Sequence, residues 1–229
     1  YFTKRGNTMA ITLSNSPIRE VVIGVLLNLT DEQLNSIVNN EEIKTIFPKK
    51  QVVPGMLFDK ANNAFVQTPE YAFSTENDKQ TMFLGKTRIT LSSRDKYNGF
   101  DAFVEPFLKI FNKIAGIDGS ITSGADIGLR YINEMILTPA ELKLFKISLN
   151  YQNGNVDSYG AGFRINKENS FVSINIQKDT LPDSNSRVIF DIDVHTKYTN
   201  IKEDINKLRE LAEDIFFNNV EAELIQKWK

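Results

Sequence analysis

Hydrophobic and polar residues first fall into a clear pattern along 19–27. Arg19, Val21, Ile23, Val25 and Leu27 take one side, and Glu20, Val22, Gly24 and Leu26 take the other. A period of two marks a strand, and this one is apolar on both faces. Thr30 then precedes Asp31, Glu32 and Gln33. A capping hydroxyl followed by acidic residues near the positive end of a helix dipole predicts a helix over 31–39. Pro48, Pro54, Gly55 and Asn62-Asn63 punctuate the next stretch, so 40–63 reads as loop with one short strand. Strands are expected at Ala64–Ser74, Thr81–Gly85 and Thr87–Ser92. Beyond Phe100, the residues Phe103, Phe107, Ile110, Phe111 and Ile114 recur at helical spacing and predict an amphipathic helix ending at Gly116.

The second half repeats that order. A strand over Ile127–Leu137 leads into Thr138-Pro139, a cap followed by proline at the first helical position, and a short helix to about Phe145. Further strands are expected near Lys146–Gln152, Tyr159–Asn166, Phe171–Lys178 and Arg187–Thr196. A last helix is expected over Ile201–Trp228, burying Ile205, Leu208, Leu211, Ile215 and Phe216.

Two blocks align between the halves. Ile18–Leu34 matches Asp126–Leu142, with Thr30 on Thr138 and Leu34 on Leu142. Later, Lys96-Tyr97 matches Lys197-Tyr198, and Phe107, Ile110 and Ile114 match Leu208, Leu211 and Ile215. Each half therefore reads as strand, helix, about four strands and a long helix. The expectation is an α+β fold of two repeats, 11–118 and 119–229, forming one globular unit. Two such units in tandem are similar to TATA-binding-protein-like saddles, where one curved antiparallel sheet carries long helices on one face. Helix-grip domains use a similar order. Tyr1–Ala10 reads as a polar, basic tail, disordered or left from cloning, with Met9 as the natural start.

Composition narrows the function classes. The chain of 229 residues is 41% hydrophobic and 24% charged, with a formal net charge of −2. Such near-neutrality argues against gripping nucleic acid through its phosphates. Absence of cysteine removes disulfides, thiolate nucleophiles and cysteine metal sites. No run approaches the roughly 18 apolar residues that span a bilayer. The expected setting is the cytoplasm, with no membrane partner.

Chemistry concentrates late in the chain. Asp191, Asp193 and His195 share one strand face, while Phe190, Ile192 and Val194 take the other. Two carboxylates and an imidazole are donors a divalent metal accepts, although alternate strand residues stand about 6.5–7 Å apart. No other cofactor is expected. Arg130 and Glu134 fall on the outer face of the central strand, and Ser173, Asn175 and Gln177 on that of another. The matching first-half positions are Val22 and Leu26, an apolar strip beside a polar one, which points to a surface covered by a partner, a second copy or the 40–63 loop. His195 is the sole histidine, and without an evident nucleophile nearby in sequence it makes a poor triad base. Gly160-Ala161-Gly162 lacks the lysine of a phosphate loop and reads as a strand bend. Tyr97 and Tyr198 suit packing before the long helices, and Trp228 suits either a partner anchor or packing of the last turn.

The strings Ser16-Pro17-Ile18-Arg19-Glu20-Val21-Val22 and Gly128-Leu129-Arg130-Tyr131-Ile132-Asn133, with Asp191-Ile192-Asp193 before a long helix, carry a resemblance. Together they resemble a sporadically distributed family of uncharacterised bacterial proteins along nearly its whole length. The resemblance implies this element order and a bacterial origin, and patchy distribution accompanies mobile or defence genes. It implies no activity. A non-enzymatic scaffold for a protein partner or self-association is the leading expectation. Nucleic-acid binding through the saddle and metal-assisted hydrolysis by Asp191, Asp193 and His195 are the alternatives.

Overall fold

A computed structural model of the chain describes residues 15–59, 64–94, 99–147, 157–167 and 169–229. The expected tail at 1–10 and Tyr97 lie outside these residues, as does most of the expected strand Lys146–Gln152. Strand β1 (Ile18–Leu26) holds the centre of the sheet. Its alternation puts Val21, Ile23 and Val25 fully inside and Val22, Gly24 and Leu26 on the opposite face. On one side β1 pairs with β5 (Arg88–Arg94), and beyond it come β4 (Gln80–Leu84), β3 (Ala64–Ser74) and β2 (Lys49–Asp59). On the other side it pairs with β6 (Asp126–Leu137), followed by β9 (Ser186–Lys197), β8 (Ser170–Thr180) and β7 (Ser158–Lys167). Every pairing is antiparallel.

Six helices complete the α+β fold among the described residues: α1 (Asp31–Val38), α2 (Glu41–Ile46), α3 (Phe100–Ile117), α4 (Pro139–Leu142), α5 (Ile201–Asn219) and α6 (Ala222–Gln226). Leu34, Ile37, Phe107, Phe111, Leu208 and Phe216 from the helices share one core with Val21, Ile23, Leu91, Leu129, Tyr131 and Phe190 from the strands. The helices thus cover one face of the sheet. None is long and apolar enough to cross a membrane. Both helix starts that follow a central strand are capping boxes. Thr30 Oγ1 accepts from the Gln33 N–H while Gln33 Oε1 accepts from the Thr30 N–H, and Thr138 and Glu141 do the same.

Two departures from expectation have physical causes. The 40–63 region is not mainly loop: it holds α2, capped by Asn40 Oδ1, and the long strand β2. Proline and glycine are tolerated in β2 because it is the outermost strand among the described residues, so Pro54 needs no outer partner. Pro69, opposite it, lies before β3 begins to pair with β4 at Tyr71. The last helix also breaks, at Val220. There the chain leaves helical geometry to bridge Phe145, while the Lys146 N–H donates to the Asn219 carbonyl and the Glu221 N–H to that of Leu144. Trp228 packs on Phe216, with ring centroids 6.1 Å apart, and is buried.

Candidate functional site

The face of the sheet away from the helices presents side chains in rows, because directly paired residues in antiparallel strands point the same way. One row crosses β5, β1, β6, β9 and β8 as Ser92, Val22, Arg130, Asp193 and Ser173. The next runs Thr90, Gly24, Gly128, His195 and Phe171. Two glycines therefore meet at the middle of the sheet, and with no side chains there the surface sinks into a trough of about 660 Å³. Their neighbours lean over the gap. A Cβ on Gly128 would stand 2.6 Å from His195 Nδ1, and one on Gly24 would stand 2.9 Å from Thr90 Cγ2. Val22, Leu26 and Phe171 supply apolar walls, and the bases Arg88, Arg130 and His195 line the trough together with Asp126 and Asp193.

Each of these cations has a carboxylate. Arg130 donates from Nε and Nη2 to the two oxygens of Asp191, at 2.8 Å each, and Asn175 Nδ2 reaches Asp191 Oδ2 at 3.5 Å. The hydrogen bonds to Asp191 hold the Arg130 pKa above its ordinary value, against the opposing effect of burial. Arg88 makes the same fork on Glu70, at 3.0 and 2.9 Å. The Glu70 stem fills the space beside Gly55 and Gly85, where a Cβ would come within 2.5 and 3.1 Å of it. His195 Nε2 donates to Asp193 Oδ1 at 2.8 Å. That bond raises the His195 pKa, burial lowers it, and the charges of Asp193 and Asp126 raise it further. Glu134 takes Arg187 and Arg19, and Lys197 takes Asp126.

Val22, Leu26, Arg130, Glu134 and Asn175 all lie on this face, as their alternation predicts. Arg130 and Glu134 do not pair with each other; each turns sideways to a partner on β9. Asp191, Asp193 and His195 share the face too, but Asp191 is engaged by Arg130 while Asp193 is engaged by His195. Among the described residues no three His, Cys, Asp or Glu side chains converge as metal ligands. His195 has no hydroxyl partner among them either, so general-base activation of a serine or threonine has no geometry here. The trough itself, with Arg88, Glu70 and Phe171, was not read from the sequence. Its signal was there in Gly24 and Gly128, glycines inside apolar strands where close approach is the usual cause.

No family model matches the chain, and no curated protein matches it. Among solved structures, that of DynU16, from the dynemicin biosynthetic locus, aligns with a TM-score of 0.22 at 9% identity, over 88% of this chain and 98% of that one. The S. pombe Pct1 RNA triphosphatase in complex with the Spt5 CTD aligns at 0.14 and 9% identity, over 91% of this chain and 81% of that one. At these scores neither likeness bears on function.

Proposed function

We propose that the protein is a non-enzymatic binding module, built on an internally duplicated TATA-binding-protein-like saddle, that receives a protein partner on the open face of its sheet. Register supports the duplication. The sequence repeat puts Val22 on Arg130, and these two residues are themselves directly paired, as residues on a pseudo-two-fold axis must be. Carrying the alignment outward, the pair Val22–Ser92 should recur as Arg130–Asp193, and Gly24–Thr90 as Ile132–Asp191; both occur. Strand order about the β1–β6 pair, running β5-β4-β3-β2 one way and β9-β8-β7 the other, agrees with a saddle. An experimental structure in which β1 and β5 do not superpose on β6 and β9 would remove that part of the proposal.

The observation behind the binding role is the self-neutralised character of the open face. Arg88, Arg94, Arg130, Arg187 and Lys197 are each bound to a carboxylate of the same sheet, beside a Leu26 that is half exposed. Phosphates would have to compete with those carboxylates, whereas a protein surface with an apolar centre and a polar rim would not. The family resemblance implies a bacterial origin, and the composition suggests the cytoplasm as the setting. The test is affinity capture from the source cells alongside light scattering, comparing wild type with Asn175→Arg. Asn175 is exposed on this face outside the trough, so the variant should fold and lose the captured partner or the dimer. Identical captures and an identical monomer mass for both proteins would overturn the reading.

A further inference from the structure

We propose that the trough over Gly24 and Gly128 is a binding site for a free organic carboxylate with an apolar body, its head received by Arg88 and its tail laid across the glycine floor toward Phe171. The trough has the volume of a small-molecule site, which commonly falls between about 300 and 1,000 Å³. The next described cavity, at about 290 Å³, is less than half as large.

Arg88 is the better receiver because of what surrounds it. Its Nε and Nη2 are docked on Glu70, whose side chain is only 9% exposed, while the Arg88 side chain is 52% exposed. A ligand therefore meets donors, including the Nη1 that Glu70 leaves free, and not the hidden acid. The strand neighbour of Arg88 on this face is Leu26, which is apolar, and the Asp126 carboxylate that also lines the trough is held by Lys197. Arg130 is paired directly across from Asp193, whose partly exposed carboxylate would repel an anion. Desolvated by Leu26, a carboxylate on Arg88 would gain the charge-assisted geometry that guanidinium offers.

The floor explains why the tail is an acyl chain and not a peptide. Gly24 is paired on both sides, with Thr90 and Gly128, and Gly128 with Gly24 and His195. Their backbone groups belong to the sheet ladder, so a peptide laid over them would bury N–H and C=O groups without partners. Methylene groups make no such demand. From β5 to β9 the floor spans three strand spacings, ~14 Å, about the length of an extended ten-carbon chain.

Titration of the whole chain with decanoate tests this, using calorimetry and the amide resonances of Gly24 and Gly128, with decanol as the uncharged match. Decanoate should bind saturably, shift those two amides and exceed decanol by at least about ten-fold, the value of one good charge contact. Leu26→Asp, a change at an exposed position beside Arg88, should cost about ten-fold or more, while Leu26→Lys should retain wild-type affinity to within about three-fold. Absence of saturable decanoate binding overturns the proposal, as does decanol binding equally well or Leu26→Lys losing as much as Leu26→Asp. Asn175→Arg should leave decanoate affinity unchanged, so the partner reading and this one fail separately.

Discussion

Val22 and Arg130, counterparts in the duplication we propose, are paired across the centre of the sheet, yet one is aliphatic and the other a guanidinium. The same contrast continues outward. In the first half Gly24 is flanked by Thr90, and Val22 by Ser92; in the second, Ile132 is flanked by Asp191, and Arg130 by Asp193. On the helix-covered face the two central strands agree, presenting Val21, Ile23 and Val25 against Tyr131, Leu129 and Ile127, all at or near zero exposure. These six positions are held to one chemistry because each must fill space without polar cost. The open face is free of that demand, so Arg130 can hold an ion pair with Asp191 while Val22, paired with it across the strands, holds none.

Core substitutions should show the largest and most equal effects. Ile23→Ala and Leu129→Ala, directly opposed and fully buried, should each cost about 2–5 kcal/mol in urea denaturation. A clear inequality would break the equivalence of the central strands. Next comes the open face, where the halves should part. Arg130→Met leaves Asp191, 7% exposed, without its bidentate partner and should cost about 2 kcal/mol, below the fully buried figure because the guanidinium is nearly half in water. Val22→Met at the matching site should cost less than about 1 kcal/mol. Equal losses would mean that the ion pair contributes nothing beyond packing.

The two glycines sharpen the contrast. Gly128→Ala must push the imidazole away from its place over the strand, so it should cost about 1 kcal/mol and bring the His195 pKa back toward its ordinary value. Gly24→Ala meets only a threonine methyl and should leave that titration unchanged. Proton resonances of the single imidazole report both outcomes. The smallest effect is pH-dependent. His195 has a raised pKa in the fold, so its protonated form contributes stability that is complete below the unfolded value of about 6.5 and is lost as pH rises through the folded value. Wild type should therefore exceed Asp193→Asn by up to about 1 kcal/mol in mildly acidic buffer, with the gap closing in alkali. A gap that widens with pH would contradict the raised pKa.

Much of the scaffold could be read without coordinates. Alternation located β1, β3, β6, β8 and β9, and helical spacing located α3 and most of α5. Thr30 and Thr138 announced their helices because a cap acts within one turn. Strand β2 escaped because proline and glycine signal a break unless the strand is known to lie at an edge, which is a property of the whole sheet. Helix α5 was read too long because its periodicity runs on past Asn219; contact with Phe145 and Lys146, far away in sequence, ends it.

The face chemistry divides the same way. Period two told which side chains share the open face, including Arg130, Glu134, Asn175 and the row of Asp191, Asp193 and His195. It could not tell which carboxylate each cation would take, because Arg130 with Asp191 and Arg88 with Glu70 are pairings across strands brought together only by register. Sequence by itself determined most of the elements and the buried parity, since these follow from local sterics and the burial of apolar surface. Tertiary structure alone decided that Gly24 would meet Gly128 and open a trough between an arginine and a histidine, because strand register is set by the whole sheet and not by any one segment.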